Sequence, residues 1–168
     1  MNTVYKTATD FRRGLESQLK KIASTTNDDI QRLRRKVTFD RLLARIFSQE
    51  ESTFFLKGGY AMELRLSSAR ATKDIDLTSL ERAKGKDDLI SLIILEELRE
   101  LASKNLNDFF VYQIGEPELD IENAPYGGAR YPVSSFIDGK IFVRFELDVG
   151  ADAIVTRTEA FQGTDWLN

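Results

Sequence analysis

The chain has 168 residues and a net charge of −3, from 24 Lys and Arg against 27 Asp and Glu, so it is not built as a whole to clamp nucleic acid. It has no cysteine and no histidine, which excludes disulfides, thiolate nucleophiles, thiolate or imidazole zinc sites, the Ser-His-Asp triad and an imidazole base. Acid–base or metal chemistry must then rest on Asp, Glu, Lys, Tyr or backbone, and an all-oxygen site selects Mg²⁺, Mn²⁺ or Ca²⁺.

With 42% hydrophobic residues and 11 Phe, one domain with a substantial core is expected. No apolar run approaches the roughly 20 residues of a membrane span. Met1 to Asp10 is polar, without the apolar stretch of a signal peptide. The expectation is a soluble cytoplasmic protein with no membrane partner.

In chain order, Phe11, Leu15, Leu19 and Ile22 recur at helical spacing and predict a helix over about 9–23. Residues 24–29 (S-T-T-N-D-D) read as a loop that caps a second helix over about 30–47. Leu33, Val37, Leu43, Ile46 and Phe47 give that helix an apolar stripe. Its polar face carries Arg32, Arg34, Arg35, Lys36 and Arg41, either a solvated face or a contact for RNA phosphates.

A short apolar strand is expected over 53–56, then Gly58-Gly59, a helix over about 60–66, and a second strand over 72–77 carrying Asp74 and Asp76. A further helix is capped by Asp87-Asp88 and runs to about Ser103, with Leu89, Leu92, Ile93, Leu98 and Leu101 inward. Strands follow over 109–114 and 118–122. Asp138-Gly139 between two apolar alternating runs, 131–137 and 140–149, signals a hairpin. Ile141, Val143, Phe145, Leu147 and Val149 share one face of its second strand, and Phe142, Arg144, Glu146 and Asp148 the other. This order predicts an α+β fold: a mixed sheet with flanking helices and an N-terminal helical extension. The expected division is a helical extension over 1–52 and a core over 53–168.

The chemistry concentrates between Phe54 and Leu77. An apolar strand running into Gly58-Gly59 delivers bare N–H groups to the start of a helix, where anions bind. A tight turn is the plainer use of the same glycines, and a positive φ is expected at Gly59. Asp74 and Asp76, two apart on a strand, share a face; they are a metal pair or the solvated edge of a half-buried strand. A two-metal site needs a third carboxylate from another strand. Asp148 is the leading candidate, with Glu146 and Asp152 as competitors, and the three carboxylates are expected to converge. Lys57, Arg70 and Lys73 flank these motifs and either balance triphosphate charge or solubilise strand ends. Tyr126, Gly127, Gly128 and Arg130 open a strand as a turn, or as a loop meeting base or acceptor.

L-K-G-G-Y-A-M-E-L-R at 56–65 and R-A-T-K-D-I-D-L at 70–77 resemble the AbiEii-type nucleotidyltransferases. Y-G-G-A-R at 126–130, F-E-L-D-V-G-A-D-A-I at 145–154 and R-L-L-A-R-I-F at 41–47 are similar to further blocks of that family, so the resemblance spans about 30–155. These are toxins of type IV toxin–antitoxin and phage-defence systems, in the DNA-polymerase-β-like superfamily.

The resemblance implies Mg²⁺, with Mn²⁺ as a substitute, and a nucleoside triphosphate. It implies an RNA acceptor, tRNA in some relatives, and a cognate antitoxin. It assigns catalytic and metal-ligand roles to Asp74, Asp76 and Asp148. It puts nucleotide phosphates at Gly58 and Gly59, with Lys57, Arg70 and the Tyr60 backbone as further phosphate-binding candidates beside them, although Tyr60 stands where the superfamily often has Ser. Members usually continue into a helical C-terminal region with further catalytic Lys and Asp residues, which the 168 residues are expected to lack. A nucleotide-binding module acting through a partner, and a γ-phosphotransferase, are the alternative functions.

Overall fold

The computed structural model describes residues 5–49, 51–66, 70–80, 88–118, 128–150, 157–164 and 166. It is an α+β fold. Helices α1 (Ala8–Thr26) and α2 (Ile30–Ile46) precede β1 (Phe54–Lys57), α3 (Gly58–Arg65) and β2 (Ile75–Ser79). Helix α4 (Asp88–Ala102) and strands β3 (Val111–Ile114), β4 (Gly128–Ile137) and β5 (Lys140–Gly150) follow. The five strands form one mixed sheet in the order β1-β2-β5-β4-β3. Only the β2–β5 pairing is parallel.

Caps place the first two helices. The Thr7 hydroxyl accepts from the Asp10 amide and donates to its carboxylate, and the Asp29 side chain accepts from the Gln31 amide. Residues 24–26, expected in a loop, continue α1. The Ser24 and Thr25 hydroxyls bond back to the Lys21 carbonyl and Thr26 to that of Ile22, and Asn27 ends the helix at φ 58°. Phe11, Leu15 and Leu19 then join Leu33, Val37, Phe39 and Leu42 in one cluster with the inner face of the sheet.

Four of the five cations on the basic face of α2 are paired with carboxylates of the fold. Arg34 pairs with Glu16, Arg32 and Lys36 with Glu63, and Arg41 with Asp108.

Several strand and helix assignments shift. In α4 the inward stripe runs through Ser91, Ile94, Leu95, Leu98 and Leu101, while Leu89, Leu92 and Ile93 are exposed. The small Ser91 lets β4 approach closely enough for the Tyr131 hydroxyl to bond the Ser91 carbonyl. β3 starts at Val111 rather than 109, because Asn107 and Phe109 hold left-handed φ of 54° and 59°. Of the strand expected over 118–122, Glu118 forms a bridge to Arg130, and 119–122 lie outside the described residues.

The hairpin turn is as expected, with Asp138 and Gly139 at φ 57° and 66°, a primed turn. The alternation beyond it is not. A bulge at Ser135/Phe136, where the Ser135 hydroxyl bonds Val143 N–H and carbonyl, leaves Ile141 41% exposed. Phe142 instead packs edge-on against Phe110. Regular alternation resumes by Phe145, so Leu147 and Val149 are buried and Asp148 faces away from them.

One polar bond network anchors α2 to the approach of β3. Asp108, fully buried, takes two bonds from Arg45 (2.6 and 2.9 Å) and one from Arg41 (2.6 Å). Burial raises the proton affinity of Asp108, but the bonds and charges of Arg45 and Arg41 outweigh it and the net shift is downward. Its ionised form therefore stabilises the fold above the ordinary carboxylate range, and that contribution is lost as pH falls through the lower folded value. Asp108→Ala should cost about 3–5 kcal/mol at pH 7 by leaving two guanidiniums without their carboxylate. In urea unfolding the gap to wild type should narrow below about pH 4; a gap independent of pH would refute the ionic origin.

Candidate active site

The site is assembled at the N-terminal end of α3. β1 ends at Lys57, and Gly58 turns directly into the helix at φ 66°, a conformation that favours glycine. A Cβ on Gly58 would overlap the Asp76 carboxylate, so the missing side chain is what admits that acid. The expected positive φ at Gly59 falls on Gly58 instead; Gly59 is the residue whose N–H bonds the Asp76 carboxylate.

Strand register extends this into a row of charges. Lys57 pairs across the sheet with Asp76, Asp76 with Asp148, Asp148 with Arg130, and Arg130 with Glu118. Their neighbours Ile75, Leu77, Leu147, Val149, Ala129 and Tyr131 are buried on the opposite face. Two carboxylates thus stand side by side between two cations. Burial chiefly, and the charge of Asp148 next, raise the proton affinity of Asp76. The Gly59 N–H and Lys57 lower it without cancelling the rise.

Asp148 is held differently. Arg130 Nε and Nη2 each donate to one of its oxygens at 2.8 Å, a bidentate pair. Glu146, two residues earlier on the same face, has its proton affinity raised by burial first and by Glu118 next. Its Oε2 is buried and has no hydrogen-bond partner.

The expected residues separate as follows. Asp76 and Asp148 come together by register. Asp74 lies just before β2, which starts at Ile75 rather than 72, so strand alternation does not set its direction. A bend holds it instead: the Glu63 carboxylate accepts the Thr72 N–H at 3.1 Å, and the Thr72 hydroxyl bonds the Asp74 carbonyl. Asp74 still acts electrostatically on Asp76, Arg130 and Glu146.

Among the described residues no three carboxylates cluster as the expected metal site would, and Arg130 spans both oxygens of Asp148. Tyr60 sends its side chain away from the glycine turn into the core, where its hydroxyl bonds Asp40 at 2.6 Å. That leaves only its backbone for phosphate. Arg70 is exposed; Tyr126, Gly127 and Asp152 lie outside the described residues. Gly128 and Arg130, expected in a turn, belong to β4.

Sequence reasoning missed Arg130 as a partner of Asp148 and Glu63 as the residue that ties Arg32, Lys36 and the Thr72 amide together. The spacing of an Arg and an Asp on two strands of one hairpin could have signalled the first, had the bulge been counted. Nothing in the local pattern signals the second.

The residues fit a hard divalent cation. The donors are carboxylate oxygens, Asp76 carries negative charge that Lys57 and the Gly59 N–H only partly relieve, Glu146 has an orphaned buried oxygen, and a guanidinium already stands in for positive charge at Asp148.

The family model for the nucleotidyl transferase AbiEii toxin of type IV toxin–antitoxin systems matches residues 41–164. The chain belongs to this family. AbiEii-family residues thus run from within α2 to beyond β5 and include every residue of the charged row. Among solved structures, MenT4, a nucleotidyltransferase toxin from Mycobacterium tuberculosis, matches with a TM-score of 0.51 at 15% identity, a likeness of fold. The match covers 81% of this chain and 43% of MenT4, so the chain spans under half the length of that protein. No curated protein sequence matches it. No helix among the described residues is long and apolar enough to cross a membrane.

Gly58→Ala should be the more damaging of the two glycine substitutions, at roughly 1–3 kcal/mol, since it combines a left-handed φ with overlap on Asp76. Gly59→Ala meets Thr72 Oγ1 at 3.0 Å and needs only a small shift of that hydroxyl. Urea unfolding of both variants checks the order, and equal losses would contradict it.

Proposed function

We propose that this domain transfers a nucleoside monophosphate from an NTP to an acceptor hydroxyl, with release of pyrophosphate, as the core of a type IV toxin. The observation that carries the reading is the charged row Lys57–Asp76–Asp148–Arg130 at the start of α3, in a chain of the AbiEii family.

Asp76, Asp74 and Asp148 would hold Mg²⁺ or Mn²⁺, which when bound neutralises phosphate charge as the bond to the leaving pyrophosphate breaks. The Gly58-Gly59 backbone at the helix start lies against the Asp76 carboxylate, so a phosphate bound at this helix end would sit beside Asp76. Lys57 sets a cation beside Asp76 at the end of β1 and can balance phosphate charge there. Arg70, exposed on the segment leading to Asp74, is a second cation for the triphosphate. Asp148 either accepts the proton of the attacking hydroxyl or completes the ligand set. We assign the acceptor to RNA, with tRNA foremost, the partner to a cognate antitoxin, and the location to the cytoplasm.

Binding without turnover is the second reading, and the Arg130 hold on Asp148 favours it, since a carboxylate clamped on both oxygens is a poor base or ligand. Incubating the protein with each α-labelled NTP, Mg²⁺ and total RNA separates the two. Labelled RNA with pyrophosphate supports transfer; nucleotide binding without labelled product supports the second reading; a nucleoside diphosphate product points to γ-phosphate transfer.

Asp74→Ala and Asp76→Ala should each abolish labelling while circular dichroism and melting temperature stay near wild type. Unfolding, or near-normal turnover, in either variant would remove the metal assignment. Asp148→Asn should keep nucleotide affinity and lower turnover by roughly 10²-fold or more if Asp148 is the base.

A further inference from the structure

Arg130 belongs to no expected metal-ligand set, yet its guanidinium engages both oxygens of Asp148. Nε and Nη2 span both Asp148 oxygens at 2.8 Å, and the pairing is enforced by register, since the two residues face each other on β4 and β5. The charges of Asp74 and Glu146 also bear on the guanidinium. A divalent cation seeking Asp148 must therefore take oxygens that Arg130 occupies.

The same fork geometry suits phosphate as well as carboxylate. The Arg130 side chain is 40% exposed and that of Asp148 18%, so the guanidinium can swing toward a ligand without disturbing the core. A triphosphate beside Asp76 offers it a replacement anion.

We propose that Arg130 is an internal counter-ion that competes with the divalent cation for Asp148 and yields it when nucleotide phosphate draws the guanidinium away. The inference rests on the proposed nucleotidyl-transfer site. It makes Arg130 a positioning residue that couples metal loading to nucleotide binding: without nucleotide, the arginine keeps Asp148 neutralised and the metal site incomplete. With nucleotide, metal and arginine hold different anions.

Mn²⁺ binding by electron paramagnetic resonance tests this on the full chain, with and without a non-hydrolysable NTP analogue. Wild type should bind Mn²⁺ weakly alone and more tightly with the analogue. Arg130→Gln should bind Mn²⁺ roughly threefold tighter or more without nucleotide, and should lose the same factor from the nucleotide-induced gain. Arg130→Lys keeps the charge but not the fork and should fall between the two, which also serves if the Gln variant fails to fold. Equal or weaker Mn²⁺ binding without nucleotide in folded Arg130 variants overturns the counter-ion role and leaves the metal site standing. Mn²⁺ binding absent from wild type under both conditions, or unchanged in Asp148→Asn, overturns the metal site and the counter-ion role with it.

Discussion

The parallel pairing of β2 with β5 is the constraint on which the site depends. It buries Ile75, Leu77, Leu147 and Val149 on one face and, by the same register, forces Asp76 against Asp148 on the other. Two like charges on adjacent strands, about 5 Å apart, repel by roughly 3 kcal/mol at an effective dielectric constant near 20. The hydrophobic face fixes the register, so the repulsion cannot be relieved by sliding one strand, because a slip of one residue would expose the whole apolar set. Relief has to come from groups placed around the pair. Lys57, the Gly59 N–H and Arg130 are those groups, each contributed by a different element.

Other carboxylates play the opposite part and hold the frame. Asp108 joins α2 to the start of β3 through Arg41 and Arg45. Glu63 joins α3 to α2 and to the segment before Asp74. Asp40 accepts the Tyr60 hydroxyl, the Trp166 indole N–H and the Thr164 amide, tying the last described residues to the helix behind the glycine turn. In a chain without histidine or cysteine, carboxylates serve as the fold's polar anchors and are the groups proposed for its chemistry. What separates the two roles is whether an arginine, amide or hydroxyl already satisfies them. Asp148 sits between the roles, since the arginine that satisfies it is partly exposed.

Much of this is legible in the sequence. The glycine pair, the two aspartates and the Asp-Gly turn were readable because each is a local signal: conformational freedom, charge in an apolar run, and a dipeptide that tolerates positive φ. The face of α4 was misread because three leucine or isoleucine side chains at helical spacing look inward, whereas Ser91, small and polar, marks the true contact with β4. Tyr60 looked like part of the phosphate loop by position. Its ring instead packs edge-on to Phe39, 5.0 Å away, a contact made across 21 positions of sequence and invisible to any local pattern.

The sequence by itself determined the element order, the strand–glycine–helix turn and the polarity of each strand face from Phe145 to Val149, because those follow from local backbone preference and period-2 alternation. Only the tertiary structure decided which charges meet. The β2–β5 register sets Asp76 beside Asp148, and a bulge of one residue shifts the β4–β5 register along the hairpin until Arg130 faces Asp148. Registers between strands far apart in sequence are fixed by how the buried faces interlock, and that information resides in the packed sheet rather than in any single segment.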